Sequence, residues 1–151
     1  MRRYLKCLLE SKLFILNLVL ILSFGCSSQI ESFYLYPTKN LNNGGNACFV
    51  CVYQLRNAQN FEMTTIDSFW QEGIKIFESD LVEKVICDTL IPMDRVRIPF
   101  LVAEETNYIG VVADFRNPDR EGWRQVYKIP SKRPKEIRIT VGTNSLIIQG
   151  Y

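Results

Sequence analysis

Alternation of apolar and polar residues, interrupted about every ten residues by turn formers, constrains this chain most. Val96, Ile98, Phe100 and Val102 alternate with Arg95, Arg97 and Pro99. Ile109, Val111, Ala113 and Phe115 alternate with Tyr108, Gly110 and Asp114, and Ile137, Ile139 and Val141 with Glu136, Arg138 and Thr140. A period of two puts one face of each segment in a core and the other in solvent, so each reads as a half-buried strand. Phe33 to Tyr36, Ala47 to Leu55, Leu81 to Ile91, Trp123 to Ile129 and Leu146 to Gln149 are less regular but bounded by turns such as Pro92-Met93-Asp94, Asn117-Pro118-Asp119 and Gly142-Thr143-Asn144. Eight short strands so punctuated predict an all-β, two-sheet sandwich. The second strand is apolar on both faces, as a central strand is.

One stretch breaks the period. Ile66, Phe69, Trp70, Ile74 and Phe77 recur at spacings of three and four behind Thr64 and Thr65, with Thr64-x-x-Asp67 resembling a capping box. A single inserted helix is expected, with those five residues as one apolar face packed on a sheet.

Residues 1–25 do not belong to this pattern. Arg2, Arg3, Lys6 and Lys12 oppose only Glu10, and Leu13 to Phe24 is almost wholly apolar before Gly25-Cys26-Ser27-Ser28. A basic start, about a dozen apolar residues and a small-residue exit describe a secretory signal, and a membrane-spanning helix needs roughly 20. Leu22-Ser23-Phe24-Gly25-Cys26 looks like a bacterial lipobox, although its Leu lies four residues before the cysteine rather than three and Phe24 is bulky. The expected organisation is a lipoprotein signal over 1–25, a lipidated tether over 26–31 that begins at acylated Cys26, and one sandwich domain over 32–151. Three acyl chains on that cysteine, at about 0.8 kcal/mol per buried methylene, anchor far more firmly than the single chain that binds reversibly. Ser27, in place of Asp, favours the outer membrane by similarity to lipoproteins generally.

Removing the signal changes the charge balance. Of 18 basic and 16 acidic side chains, four basic and one acidic lie in residues 1–25, which leaves 14 against 15 beyond. A near-neutral domain offers no phosphate-neutralising surplus, so nucleic acid is not an expected partner. The chain has no histidine, which excludes a Ser-His-Asp triad, a Cys-His dyad or a His-ligated zinc built from it alone. No G-x-S-x-G, P-loop or dinucleotide fingerprint occurs, and no enzyme activity is expected.

Three cysteines remain in the domain. Cys48 and Cys51 have the spacing of a redox or zinc motif, but along a strand they stand about 10 Å apart on opposite faces and cannot bridge. Cys87 either pairs with one of them in an oxidising compartment, or all three are small core residues. Asp114, Asp119 and Glu121 are interleaved with Arg116, Arg120 and Arg124, which reads as mutual pairing on a solvated loop rather than a metal site. No metal and no cofactor, beyond the covalent lipid, is expected.

Val50-Cys51-Val52-Tyr53-Gln54-Leu55, followed by Phe61 and Phe69-Trp70, resembles the strand-to-helix passage of the outer-membrane lipoprotein of type VI secretion systems, the TssJ family. Tyr108-Ile109-Gly110-Val111-Val112-Ala113-Asp114-Phe115-Arg116, with Trp123-Arg124 behind it, resembles the family's second motif. The resemblance spans roughly Val50 to Val141. It implies a transthyretin-like sandwich facing the periplasm, which anchors a trans-envelope complex by binding the periplasmic C-terminal region of the inner-membrane protein TssM and through it, indirectly, TssL. The family's contact lies between the first two strands. Here that connection is Thr38 to Asn46, and by position alone it supplies Lys39, Asn40, Leu41, Asn42, Asn43, Gly44, Gly45 and Asn46 as partner-binding residues. Leu41 reads as the one exposed apolar anchor among polar neighbours. A different class of function rests on Trp123 and Tyr127, which at i and i+4 share a strand face and could stack on a glycan or peptidoglycan.

Overall fold

A computed structural model describes residue 30, residues 32–99 and residues 101–151. The signal over 1–25, Cys26, most of the 26–31 tether and Phe100 lie outside the described residues. All eight expected strands are present: β1 (Ser32–Pro37), β2 (Cys48–Leu55), β3 (Leu81–Leu90), β4 (Val96–Ile98), β5 (Tyr108–Ala113), β6 (Arg124–Lys128), β7 (Glu136–Val141) and β8 (Leu146–Gly150). They form two four-stranded sheets, in the orders β4-β1-β7-β8 and β3-β2-β5-β6. In the first sheet β1 runs parallel to β7, with Ser32 opposite Glu136 and Pro37 opposite Val141; its other pairings are antiparallel, as are all those of the second sheet.

Period-two patterning explains the packing. Phe33 and Leu35 of β1 and Ile137, Ile139 and Val141 of β7 turn inward, as do Val50 and Val52 of β2 and Ile109 and Val111 of β5, all of them buried. Tyr34, Tyr36, Arg138 and Thr140 occupy the alternate, half-open positions. β4 is shorter than the alternation through Val102 predicts: it ends at Ile98, before Pro99, which has no N–H for a ladder.

The second sheet is covered on its outer face, which is why β2 is apolar on both sides. Three short helical segments lie there, α1 (Gln59–Met63), α2 (Ile66–Glu72) and a 3₁₀ turn (Gly73–Phe77). Tyr53 meets Phe61, Phe69 and Phe77 edge-on at ring-centroid distances of 6.2, 6.4 and 5.3 Å. Gly110 opens the space for this: a Cβ there would sit 2.9 Å from Leu55 Cδ1 and 3.0 Å from the Phe61 ring.

The single expected helix is thus corrected to two helices and a turn. Thr65, not Thr64, caps α2, its hydroxyl accepting from the Ser68 N–H at 3.2 Å. Gly73 takes φ +64°, which stops α2 and rotates the following turn. Phe69 and Phe77 are buried, whereas Trp70, inside α2 before that glycine, and Ile74, just after it, are exposed, so the five residues do not make one buried face.

Gln54 is a fully buried polar residue on β2. Its Nε2 donates to the Leu101 carbonyl and to Glu83 Oε2, each at 3.0 Å, and its Oε1 accepts from the Ala103 N–H at 2.8 Å and the Thr106 hydroxyl at 2.6 Å. The β4–β5 connection is tied to the sheet through this one side chain, with all its capacity used.

Candidate functional site

Four connections gather at one pole of the sandwich: β1–β2, β3–β4, β5–β6 and β7–β8. The β1–β2 connection is the hub. Thr38 N–H bonds to the Val141 carbonyl at 2.9 Å, Asn42 N–H to Gly142 at 3.2 Å and Asn43 N–H to Thr143 at 2.8 Å, which fasten it to the β7–β8 hairpin. The Met93 N–H donates to the Pro37 carbonyl at 3.2 Å from the β3–β4 side.

Within the connection the chain makes a tight left-handed turn. Asn42, Asn43, Gly44 and Gly45 take φ of 46°, 60°, 101° and 88°. Only glycine, and among other residues chiefly asparagine, adopts that region cheaply, so the sequence Asn-Asn-Gly-Gly is what the geometry requires. Asn42 is buried and serves two masters: its Nδ2 donates to the Ala47 carbonyl at 2.6 Å and its Oδ1 accepts from the Arg116 N–H at 2.8 Å. Asn46 Nδ2 reaches the carbonyls of Asn42 and Asn43, both at 3.1 Å. The turn is pre-built rather than adaptable.

That construction corrects the expectation for Leu41. Its relative exposure is 0%, its side chain belongs to the sandwich core, and the Gly45 and Asn46 N–H groups both bond to its carbonyl, at 2.8 and 2.9 Å. Leu41 is the plug that seats the turn and has no surface to offer a partner. Asn42 is likewise inside. Of the eight expected contact residues, the structure presents Lys39, Asn40, Asn43, Gly44 and Gly45 to solvent and Asn46 in part. A core leucine between polar neighbours is missed by periodicity because no strand or helix pattern surrounds it; the four-residue Asn-Asn-Gly-Gly run is the signal that marks a built turn.

The chain enters β1 at the other pole, behind Ile30, which is already buried in the core. β1 carries it from Ser32, next to Lys135, to Pro37 beside this hub, about 20 Å for six extended residues. Hub and Ser32 therefore lie at opposite ends of the domain.

The glycan platform is not there. Trp123 is 2% exposed and packs 5.7 Å from Phe69, beneath the helical cover, so it has no face for a sugar. In the acidic and basic loop, Glu121 pairs with Arg124 at 2.7 Å. Among the described residues no three His, Cys, Asp or Glu side chains lie close enough together to hold a metal. Cys51 and Cys87, opposite each other on β2 and β3, form a disulfide. Cys48 faces the core as a free thiol, and burial, with the Asp114 charge nearby, pushes its pKa up to about 12. A thiol so held is a packing residue and not a nucleophile.

Residues 32–144 match the model of the type VI secretion lipoprotein family, whose members include VasD, EvfM and TssJ. The chain belongs to that family. Its fold agrees with that of the type VI lipoprotein TssJ1 from Pseudomonas aeruginosa at 26% identity and a TM-score of 0.70, over 80% of this chain and 94% of that one. Serratia marcescens Lip, a membrane-bound component of the type VI secretion system, shares the fold at 19% identity and a TM-score of 0.66, over 80% and 95% of the two chains. So does a chain from the structure of the type VI protein TssM C-terminal domain from EAEC, at 18% identity and 0.65, over 82% and 100%. A search of curated proteins gives no sequence match. The family match covers both the Val50–Leu55 and the Tyr108–Arg116 motifs, and the two-sheet fold is shared with the two lipoproteins above.

Proposed function

We propose that this type VI secretion lipoprotein is a non-catalytic anchor: acylated at Cys26, held in the outer membrane with its domain in the periplasm, and bound through the β1–β2 hub to the periplasmic C-terminal region of TssM, which links it indirectly to TssL. Family membership over residues 32–144, behind a signal that ends in Gly25-Cys26, is the observation that carries this reading. The polarity of the domain supports it. With the tether at the Ser32 pole, a hub at the other pole points away from the membrane, toward a partner rising from the inner membrane. Exposed Lys39, Asn40, Asn43 and Gly44 then supply contact, while the latches of Asn42 and Leu41 remove the ordering entropy that a loose loop would lose on binding. The polar loop side chains and backbone offer hydrogen bonds, and no bond-making chemistry is needed.

Two experiments test the two halves. Wild-type chain is expected to incorporate labelled palmitate and fractionate with the outer membrane, and Cys26→Ala to do neither; incorporation by the variant refutes the anchor. The detergent-purified lipoprotein is expected to retain the TssM periplasmic region in a pull-down, and failure with both proteins folded refutes the partner.

A further inference from the structure

The outer face of the first sheet carries an unusual set of side chains and, among the described residues, lacks the cover that α1, α2 and the 3₁₀ turn give the second sheet. Arg95 lies over the rings of Tyr34 and Tyr36, at 4.0 and 4.6 Å from their centroids, and Arg138 lies over Tyr36 and Tyr151, at 4.8 and 4.6 Å. Tyrosine and arginine thus alternate across three strands and the chain end, with Tyr36 held between two guanidinium groups. Arg97, opposite Tyr34, adds a third cation on the same face. The one carboxylate among these outward positions, Glu136, is already paired with Arg138 at 3.0 Å. The chain beyond residue 25 carries 14 basic and 15 acidic side chains, so this face, with a surplus of two positive charges, departs from the average.

The geometry points to a second docking surface here, one that takes an acidic, extended segment of the protein that binds the hub; it therefore rests on the partner reading above and deepens it. Arginine stacked flat on an aromatic ring keeps its in-plane N–H donors free for a carboxylate, and tyrosine with arginine is the composition of interface hot spots. At the hub end of the face an open recess of about 230 Å³ is lined by Tyr36, Thr38, Met93 and Arg95, among others. Thr38 is also the first residue of the β1–β2 connection, so a partner seated on the hub continues onto this face without a gap. An apolar side chain of the segment fills the recess, and its carboxylates meet Arg95 and Arg97, the two arginines on this face left without a carboxylate among the described residues. A protein fits better than a bilayer: the face runs along β1 from the tether pole to the hub, so a membrane at the tether pole meets it edge-on.

Arg95 and Arg97 are exposed, and Arg95→Glu/Arg97→Glu leaves the core untouched. With the detergent-purified lipoprotein and the TssM periplasmic region on a biosensor, the double variant is expected to bind at least about ten-fold more weakly, with a flatter salt dependence than wild type. A fluorescent glutamate-rich peptide bearing one leucine is expected to bind wild type and not the variant, and it reads the face without the partner. If wild type fails to bind the TssM region but binds the peptide through these arginines, the partner reading falls and the surface stands. If the variant matches wild type in both assays, or if it loses only binding to phosphatidylglycerol vesicles, the surface for an acidic protein segment is refuted.

Discussion

Replacing Asn42 by alanine tests whether the candidate site is a pre-built turn. The substitution removes two hydrogen bonds, the 2.6 Å donation to Ala47 and the 2.8 Å bond from the Arg116 N–H, at a buried position. Each contributes about 1 kcal/mol net. Alanine at φ 46° adds about 1 kcal/mol of left-handed strain that asparagine tolerates better. The expected loss is about 3 kcal/mol, or roughly 12 °C in Tm for a domain of this size. Asn43 provides the internal control, since it sits at φ 60° but is exposed. Asn43→Ala has only the backbone strain and should lose about 1 kcal/mol, roughly 4 °C. Asn42→Gly relieves the strain and keeps the hydrogen-bond loss, so it should fall between them at about 2 kcal/mol. Circular dichroism melts of the three variants, disulfide intact, decide the matter. Equal melting of Asn42→Ala and Asn43→Ala would refute the claim that the Asn42 side chain latches the turn.

Leu41→Ala should lose about 3 kcal/mol and Leu41→Asp should abolish folding, because the residue is fully buried; a folded Leu41→Asp protein that merely binds less well would restore it as a surface anchor. Cys51→Ala/Cys87→Ala opens a crosslink between residues 36 apart, worth about 4 kcal/mol in the chain-entropy account, and urea unfolding with and without reductant measures it. Burial pushes both the Cys48 thiol and the Tyr53 hydroxyl up to about 12 from 9.0 and 10.0, so the folded state binds protons that the unfolded chain releases. That stabilisation is complete below about pH 9 and is lost between about pH 9 and 12, at about 1.4 kcal/mol per pH unit for each group once its unfolded form titrates. Thermal melts that stay flat from about pH 8 to 11 would contradict it.

Strands were legible where a period of two met a turn former, which is why β5 and β7 begin where the alternation places them. β4 stopped early because a proline inside the alternation outweighs the pattern. The helix was legible as a helix, but a single positive-φ glycine, Gly73, ended it and redirected the turn that carries Ile74 and Phe77. Residue type alone does not reveal a backbone sign. The candidate site was legible as a place and misread in its parts. Leu41 and Asn42 are buried because β7–β8 and Arg116 come to them from 74 or more residues away, and nothing local encodes that approach. The disulfide likewise depends on the β2–β3 register that sets Cys51 against Cys87, and a sequence carries spacing but not register. Trp123 and Tyr127 share a strand periodicity, yet Trp123 lies just before β6 and is covered by Phe69 of α2, while Tyr127 points at Gly150 of β8, which no local pattern encodes.

Contact between the exposed part of the hub and TssM, as proposed, is tested by a matched pair of binding curves. Lys39→Glu/Asn40→Arg alters two exposed residues outside the left-handed run and should melt as wild type does. Titrated with the TssM periplasmic C-terminal region, the detergent-purified wild-type lipoprotein should bind saturably and this variant should show no measurable binding. Equal curves for the two proteins, or no binding by wild type, would refute the hub as the TssM contact.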